Sequence, residues 1–203
     1  MKDCKEFIIS GILELYVLEQ TTSEENIEVE TMSALYPEVK QEIVEISGAL
    51  ERYALENPIT PDPTIKPFLM ATIDYSDRMQ NGEVFTSPPI LSPDSRIADY
   101  EEWISREDMV PPAEYDAIHA KILSYTPQVI TAIVWLKVMA PQEVHDDEYE
   151  KFLILEGTCD ITVGEDVYSL KRGDYLTIPL YQNHYVTVTS SIPCKVILQR
   201  VAA

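Results

Sequence analysis

Apolar residues recur along the first third of the chain with a helical period and along the last third with the period of strands. Ile8, Ile12 and Leu15 share one face of a first helix that fades at Glu19 and Gln20. Thr22 stands ahead of Glu25 as in a capping box, which predicts a second helix to about Leu35. Pro37 cannot continue that helix but suits the first turn of a new one. There Val39, Ile43, Ile46, Leu50 and Tyr53 form an amphipathic stripe with charged residues opposite. Three short helices cannot hide such stripes separately, so they pack together or on a partner. A proline-rich connector over residues 57–67 leads to a fourth helix from about Phe68 to Gln80, ending at Asn81 and Gly82.

The middle of the chain is mixed. Residues 87–95 suggest loop and edge strand, and Ile97 to Ser105 a short helix with Tyr100 and Trp103 on one side. His119 reads as a surface histidine in a short helical stretch. Beyond Gln128 the pattern is β: Val129 to Met139, then short runs at Phe152, Cys159, Val167, Tyr175, Tyr185 and Lys195, with glycine turns at Gly157, Gly164 and Gly173. Such spacing predicts an antiparallel sandwich or barrel. The expected class is α+β, with a helical domain over residues 1–80 and a β-barrel domain over residues 81–203.

Charge narrows the partners. Thirty-five acidic against 15 basic residues leave a formal net charge of −20, which disfavours direct contact with nucleic acid or an anionic membrane. That acidity serves solubility as readily as a basic protein partner. The three cysteines, Cys4, Cys159 and Cys194, share no zinc spacing and suggest a reducing compartment, with Cys159 and Cys194 as small buried hydrophobes. The acids within the first apolar stretch and the lack of a long apolar run point to a soluble, cytoplasmic protein.

Two stretches carry candidate chemistry. Glu143, His145, Glu150 and Gly157 follow one another at the spacing of the first cupin motif, and Gly173, Pro179 and His184 at that of the second. The region from about residue 138 to 200 therefore resembles the cupin superfamily, and the resemblance implies a jelly-roll barrel. In that family three histidines and a glutamate bind one divalent metal. The corresponding set here is Glu143, His145, Glu150 and His184, with Glu143 in place of the first histidine. Tyr181 replaces the glycine after Pro179, and Val188 replaces the final asparagine. Strand alternation agrees with the set: Glu143 and His145 share a face, as do Glu150 with Phe152 and His184 with Val186. Two carboxylates and two imidazoles suit zinc, manganese, iron or nickel. No inward-facing arginine or lysine is apparent in the motif strands. Tyr175, Tyr181 and Tyr185 serve packing or line a pocket.

The helical region is similar to the N-terminal domain of bacterial anti-sigma factors. Met32, Tyr36 and Val39 stand where the zinc-containing members carry ligands, so apolar packing replaces the metal. Helices followed by a cupin resemble the cupin-containing anti-sigma factors. That likeness implies a transcription regulator whose helices bind an extracytoplasmic-function sigma factor while the barrel senses a stimulus. Two other readings fit the motifs: a metal-dependent dioxygenase or isomerase, and a metal-free cupin binding a small molecule or a protein. Cupins commonly pair through their sheets, so a homodimer is expected.

Overall fold

The computed structural model describes residues 3–203 and divides the chain into two compact units that meet at Thr60 and Pro61. The first unit holds α1 (Cys4–Ile8), α2 (Ile12–Val17), α3 (Ser23–Leu35) and α4 (Pro37–Glu56). The single first helix expected from the periodicity is two helices. Gly11 breaks it with a left-handed φ of 83°, and the Ser10 hydroxyl donates to the Phe7 carbonyl. The break lets Phe7 and Leu13 both turn inward. α3 begins as read: Thr22 caps the Glu25 amide, and the Thr22 amide donates to the Glu25 carboxylate at 2.8 Å. Phe7, Leu13, Val29, Met32 and Val39 form the core, with Tyr36, Ile43 and Ile46 packed against it. The rest of the α4 stripe stays outside that core, Leu50 being 37% and Tyr53 67% exposed.

The second unit begins with α5 (Ile65–Gln80). The sequence placed this helix in the N-terminal domain with a boundary after residue 80; it packs instead with the strands. Phe68, Ala71 and Tyr75 join the main apolar core of the strands. Arg78 donates to the Ile122 carbonyl, and Lys121 reaches Asp74 at 3.5 Å. Periodicity shows that a helix has an apolar face but not which surface receives it.

Nine strands follow: β1 (Ile118–Tyr125), β2 (Val129–Leu136), β3 (Met139–Glu143), β4 (Glu148–Glu156), β5 (Thr158–Val163), β6 (Asp166–Lys171), β7 (Tyr175–Ile178), β8 (His184–Val188) and β9 (Cys194–Ala202). They form two antiparallel sheets, ordered β1-β2-β9-β4-β7 and β3-β8-β5-β6. The expected jelly-roll is present, although no hydrogen-bonded ladder closes the two sheets into a continuous barrel. Residues of both sheets, including Val134, Phe152, Ile161 and Val186, share the inner core. Cys159 and Cys194 are buried in it as free thiols.

β2 is apolar almost throughout because both of its faces are covered. Residues 83–117 lie over the outer face of the larger sheet, where Leu91 and Tyr100 pack on Leu153 and Ile197, and Trp103 on the cluster of Ile133 and Trp135. The edge strand expected in residues 87–95 is absent. There the Gln199 carboxamide accepts from the Leu91 amide at 2.7 Å and donates to the Pro89 carbonyl at 2.9 Å. β1 was missed, so His119 is a strand residue rather than a helical one. Its ring lies 5.7 Å from that of Tyr115 and 5.6 Å from that of Trp135. Among the described residues, no helix is long and apolar enough to cross a membrane.

Glu83 ties this covering to the rest of the unit. Its carboxylate accepts from Arg106 and Arg78, each at 2.7 Å, and the side chain is 17% exposed. The Arg106 hydrogen bond, aided by Arg78, outweighs burial and holds the carboxyl below the usual range. A depressed folded pKa stabilises above the unfolded value, about 4.3, and that stability is lost as pH falls through the folded value. Glu83→Gln is expected to cost about 2 kcal/mol near neutral pH. It should also flatten the acid limb of stability below about pH 4.3, as read by urea unfolding at a series of pH values.

Gly157 joins β4 to β5 with φ 72°. A Cβ there would lie 2.7 Å from the Ser190 hydroxyl and 2.9 Å from the Pro193 carbonyl. Gly157→Ala should therefore lose about 2 kcal/mol in denaturant unfolding, combining left-handed strain with a backbone clash.

Candidate metal centre

Glu143, His145, Glu150 and His184 converge, each offering a ligand atom within 4.8 Å of the others. They come from the end of β3, the loop after it, β4 and the start of β8. Sheet pairing sets Glu143 opposite His184 in one sheet and Glu150 opposite Arg200 in the other. Glu150 and His184 are 3% exposed; Glu143 and His145 are half-buried.

His184 is oriented from behind. Its Nδ1 sits 3.2 Å from the Gln182 carbonyl oxygen, which can only accept, so Nε2 faces the Glu150 carboxylate at 2.9 Å. A carbonyl partner on Nδ1 is the arrangement that presents an Nε2 lone pair to a metal. In the metal-free state burial lowers the His184 pKa, but the Glu150 hydrogen bond and charge reverse this and the net shift is upward. Burial alone would raise Glu150; the His184 hydrogen bond and the Arg200 charge more than offset it, and the carboxyl lies low. Glu143 is raised, by burial first and by repulsion from Glu150 second.

His145 Nε2 is buried without a hydrogen-bond partner, 3.4 Å from Glu143 Oε2 and 3.7 Å from Glu150 Oε1. These separations suit donors about 2.0–2.2 Å from a shared ion, whose tetrahedral edges are roughly 3.4 Å. An orphaned imidazole nitrogen between two carboxylates is the strongest sign that the set fits a divalent cation, which would act there as a Lewis acid or a structural clamp. The backbone holds the His145 loop in place. Tyr181, standing where the motif has glycine, adopts a left-handed φ of 61° and donates its amide to the His145 carbonyl at 2.7 Å. The glycine preference at this position is thus conformational, and this tyrosine bears the strain. Its side chain is 70% exposed, whereas Tyr185 lines the cavity over the four donors and Tyr175 packs under the covering segment.

Sequence reasoning missed Arg200, and the expectation of no inward cation is corrected. From β9 its Nε donates to Glu150 Oε1 at 3.0 Å and its Nη2 to Glu143 Oε2 at 2.9 Å; Nε is also 3.4 Å from Glu148 Oε1. Strand alternation could have found it, because Cys194, Val196, Leu198 and Arg200 form one inward series. Three carboxylates surround this one arginine, so a divalent ion together with Arg200 would bring the local formal charge to zero. The cavity over the site, lined by Glu143, Glu150, His184, Arg200, Phe152 and Phe68, is about 40 Å³, enough for a few waters.

Residues 135–199, which run from β2 into β9, match the family model described as a cupin domain. No curated protein matches the chain in sequence. Solved structures similar to it include the cupin domain of Schizosaccharomyces pombe Cnp3, at 13% identity and TM-score 0.42 over 45% of this chain and 71% of that one. KdgF from Halomonas sp. is similar at 14% identity and TM-score 0.42, over 47% of this chain and 90% of that one. A cupin-2 domain containing protein from Shewanella frigidimarina is similar at 18% identity and TM-score 0.39, over 43% of this chain and 84% of that one.

Proposed function

We propose that this chain is a metal-binding regulator, with one divalent ion held by Glu143, His145, Glu150 and His184, and a helical unit that docks on a sigma factor of the extracytoplasmic-function class. The observation behind the metal part is the convergence of those four donors around the unpartnered His145 nitrogen. Three features support the regulatory part. Met32, Tyr36 and Val39 pack together in the helical core, as expected of an anti-sigma-like domain without zinc. The α4 stripe continues beyond that core, leaving Leu50 and Tyr53 exposed for a partner. The surrounding acidity suits a basic, DNA-facing surface on that partner.

The cavity over the metal donors is too small for a metabolite while α5 is in place, which favours a sensor over a catalyst. An enzymatic reading draws on Arg200 as a substrate anchor and requires α5 to move. Co-expression of the full chain with the extracytoplasmic-function sigma factors of its own source organism tests the partner. Stable co-purification with one of them, weakened by Tyr53→Glu, is the expected result. Failure of every such sigma factor to bind overturns the partner assignment and leaves the metal assignment to its own test.

A further inference from the structure

Arg200 borders a second cavity as well as the metal cavity. This cleft, about 160 Å³, lies between α5 and the inner face of β1, β2 and β9. Its walls are mainly Phe68, Ile122, Ile130, Ala132 and Leu198. The mouth opens between Thr72 and Tyr125, both exposed. Arg200, Phe68 and Leu198 line both cavities, and the central carbon of the Arg200 guanidinium lies 5.2 Å from the centre of the Phe68 ring. Nε and Nη2 are committed to the carboxylates of the metal site, whereas Nη1 makes no hydrogen bond among the described residues.

We infer that this cleft binds a small monocarboxylate with an apolar body, its carboxylate on Arg200 and its body between Phe68 and the β1-β2-β9 face. The inference rests on the metal-sensor reading and names the ligand sensed. Size sets the first limit: about 150 Å³ of apolar space accommodates a benzene ring. Polarity sets the second. A cationic donor with a free N–H edge at one end of an apolar slot selects an anion over a neutral hydrocarbon. A lone guanidinium and apolar walls do not provide for a phosphate dianion. Charge sets the third. With Glu143, Glu148 and Glu150 around a single arginine, the neighbourhood is net negative and repels an anion. A bound divalent ion removes that surplus, so carboxylate and metal each raise the affinity for the other.

Titration calorimetry of the full chain with benzoate tests this, on protein loaded with zinc and on protein stripped by chelator. Zinc content is measured on each sample. Benzoate is expected to bind zinc-loaded protein at one per chain, and at least about tenfold more weakly after stripping, with benzyl alcohol at least about tenfold weaker than benzoate. Arg200→Met should lose at least about tenfold in affinity. Thr72→Phe, which narrows the mouth from an exposed helix position, should do the same with zinc content unchanged. No benzoate binding to protein that holds zinc overturns the inference and leaves the metal assignment intact. Binding unchanged in both variants overturns it too, since benzoate would then sit elsewhere, on the metal included. If wild-type protein holds no zinc, the metal reading and its coupling to the ligand fall, and Arg200-dependent benzoate binding alone would preserve the anchor.

Discussion

Glu150→Gln is expected to lower divalent-metal affinity by more than the roughly 10–100-fold that loss of an outer-shell partner costs. Glu150 is the most constrained of the four donors. One oxygen lies 2.9 Å from His184 Nε2, the other accepts from Arg200 at 3.0 Å, and the side chain is 4% exposed. Glutamine keeps the shape and removes the charge. Its amide also turns a donor toward a group that already donates, either Arg200 or His184 in the metal-free state. Affinity is read by titration against a competing chelator, alongside a circular dichroism spectrum to establish that the variant is folded. A variant within about threefold of wild type would remove Glu150 from the ligand set; such a difference is under 1 kcal/mol.

Arg200→Met should destabilise the metal-free protein by about 3 kcal/mol. Breaking a buried ion-pair network by removing one partner costs about 3–5 kcal/mol, and the lower end applies because the Arg200 side chain is 25% exposed. Glu143 and Glu150 would then face each other without the guanidinium that bridges them. For a unit of this size the loss corresponds to roughly a 10 °C fall in Tm. Adding a divalent ion should restore more stability to the variant than it adds to wild type, because the ion then meets the carboxylates alone. Thermal melts of both proteins with and without zinc or manganese measure this. Equal metal-induced gains would mean that Arg200 and the ion do not share the same carboxylates.

The features legible in the sequence are those set by near neighbours. The Thr22–Glu25 capping box, the proline start of α4 and the alternating strands around Glu150 and His184 depend on residues a few positions apart, and each is where the pattern placed it. The convergence of the four candidate donors was legible for the same reason, since two short motifs carry them and the strand pairing has only to bring these together. What escaped depends on distant partners. α5 has an apolar face that suits a helical bundle as well as a sheet, and only the open core under β1 decides between them. β1 alternates only over Ile118–Ile122, with His119 and Lys121 between apolar residues, and a register shift between Ile122 and Ser124 interrupts the pattern, which hid both the strand and the setting of His119. Arg200 lies near the end of the β-run that starts at Lys195, and its partners come from distant strands, Glu143 at the end of β3 and Glu148 and Glu150 of β4. Gly11 also broke a helix that its apolar period alone would have continued.

The central claim is that four side chains of the cupin domain hold one divalent ion. Its most direct measurement is elemental analysis of protein purified without chelator, followed by titration of the stripped protein with zinc and manganese. The expected result is one ion per chain in the wild-type protein, and loss of binding in a His145→Ala, His184→Ala variant that still folds. A folded wild-type protein that takes up no ion, or a double variant that binds as wild type does, would contradict it.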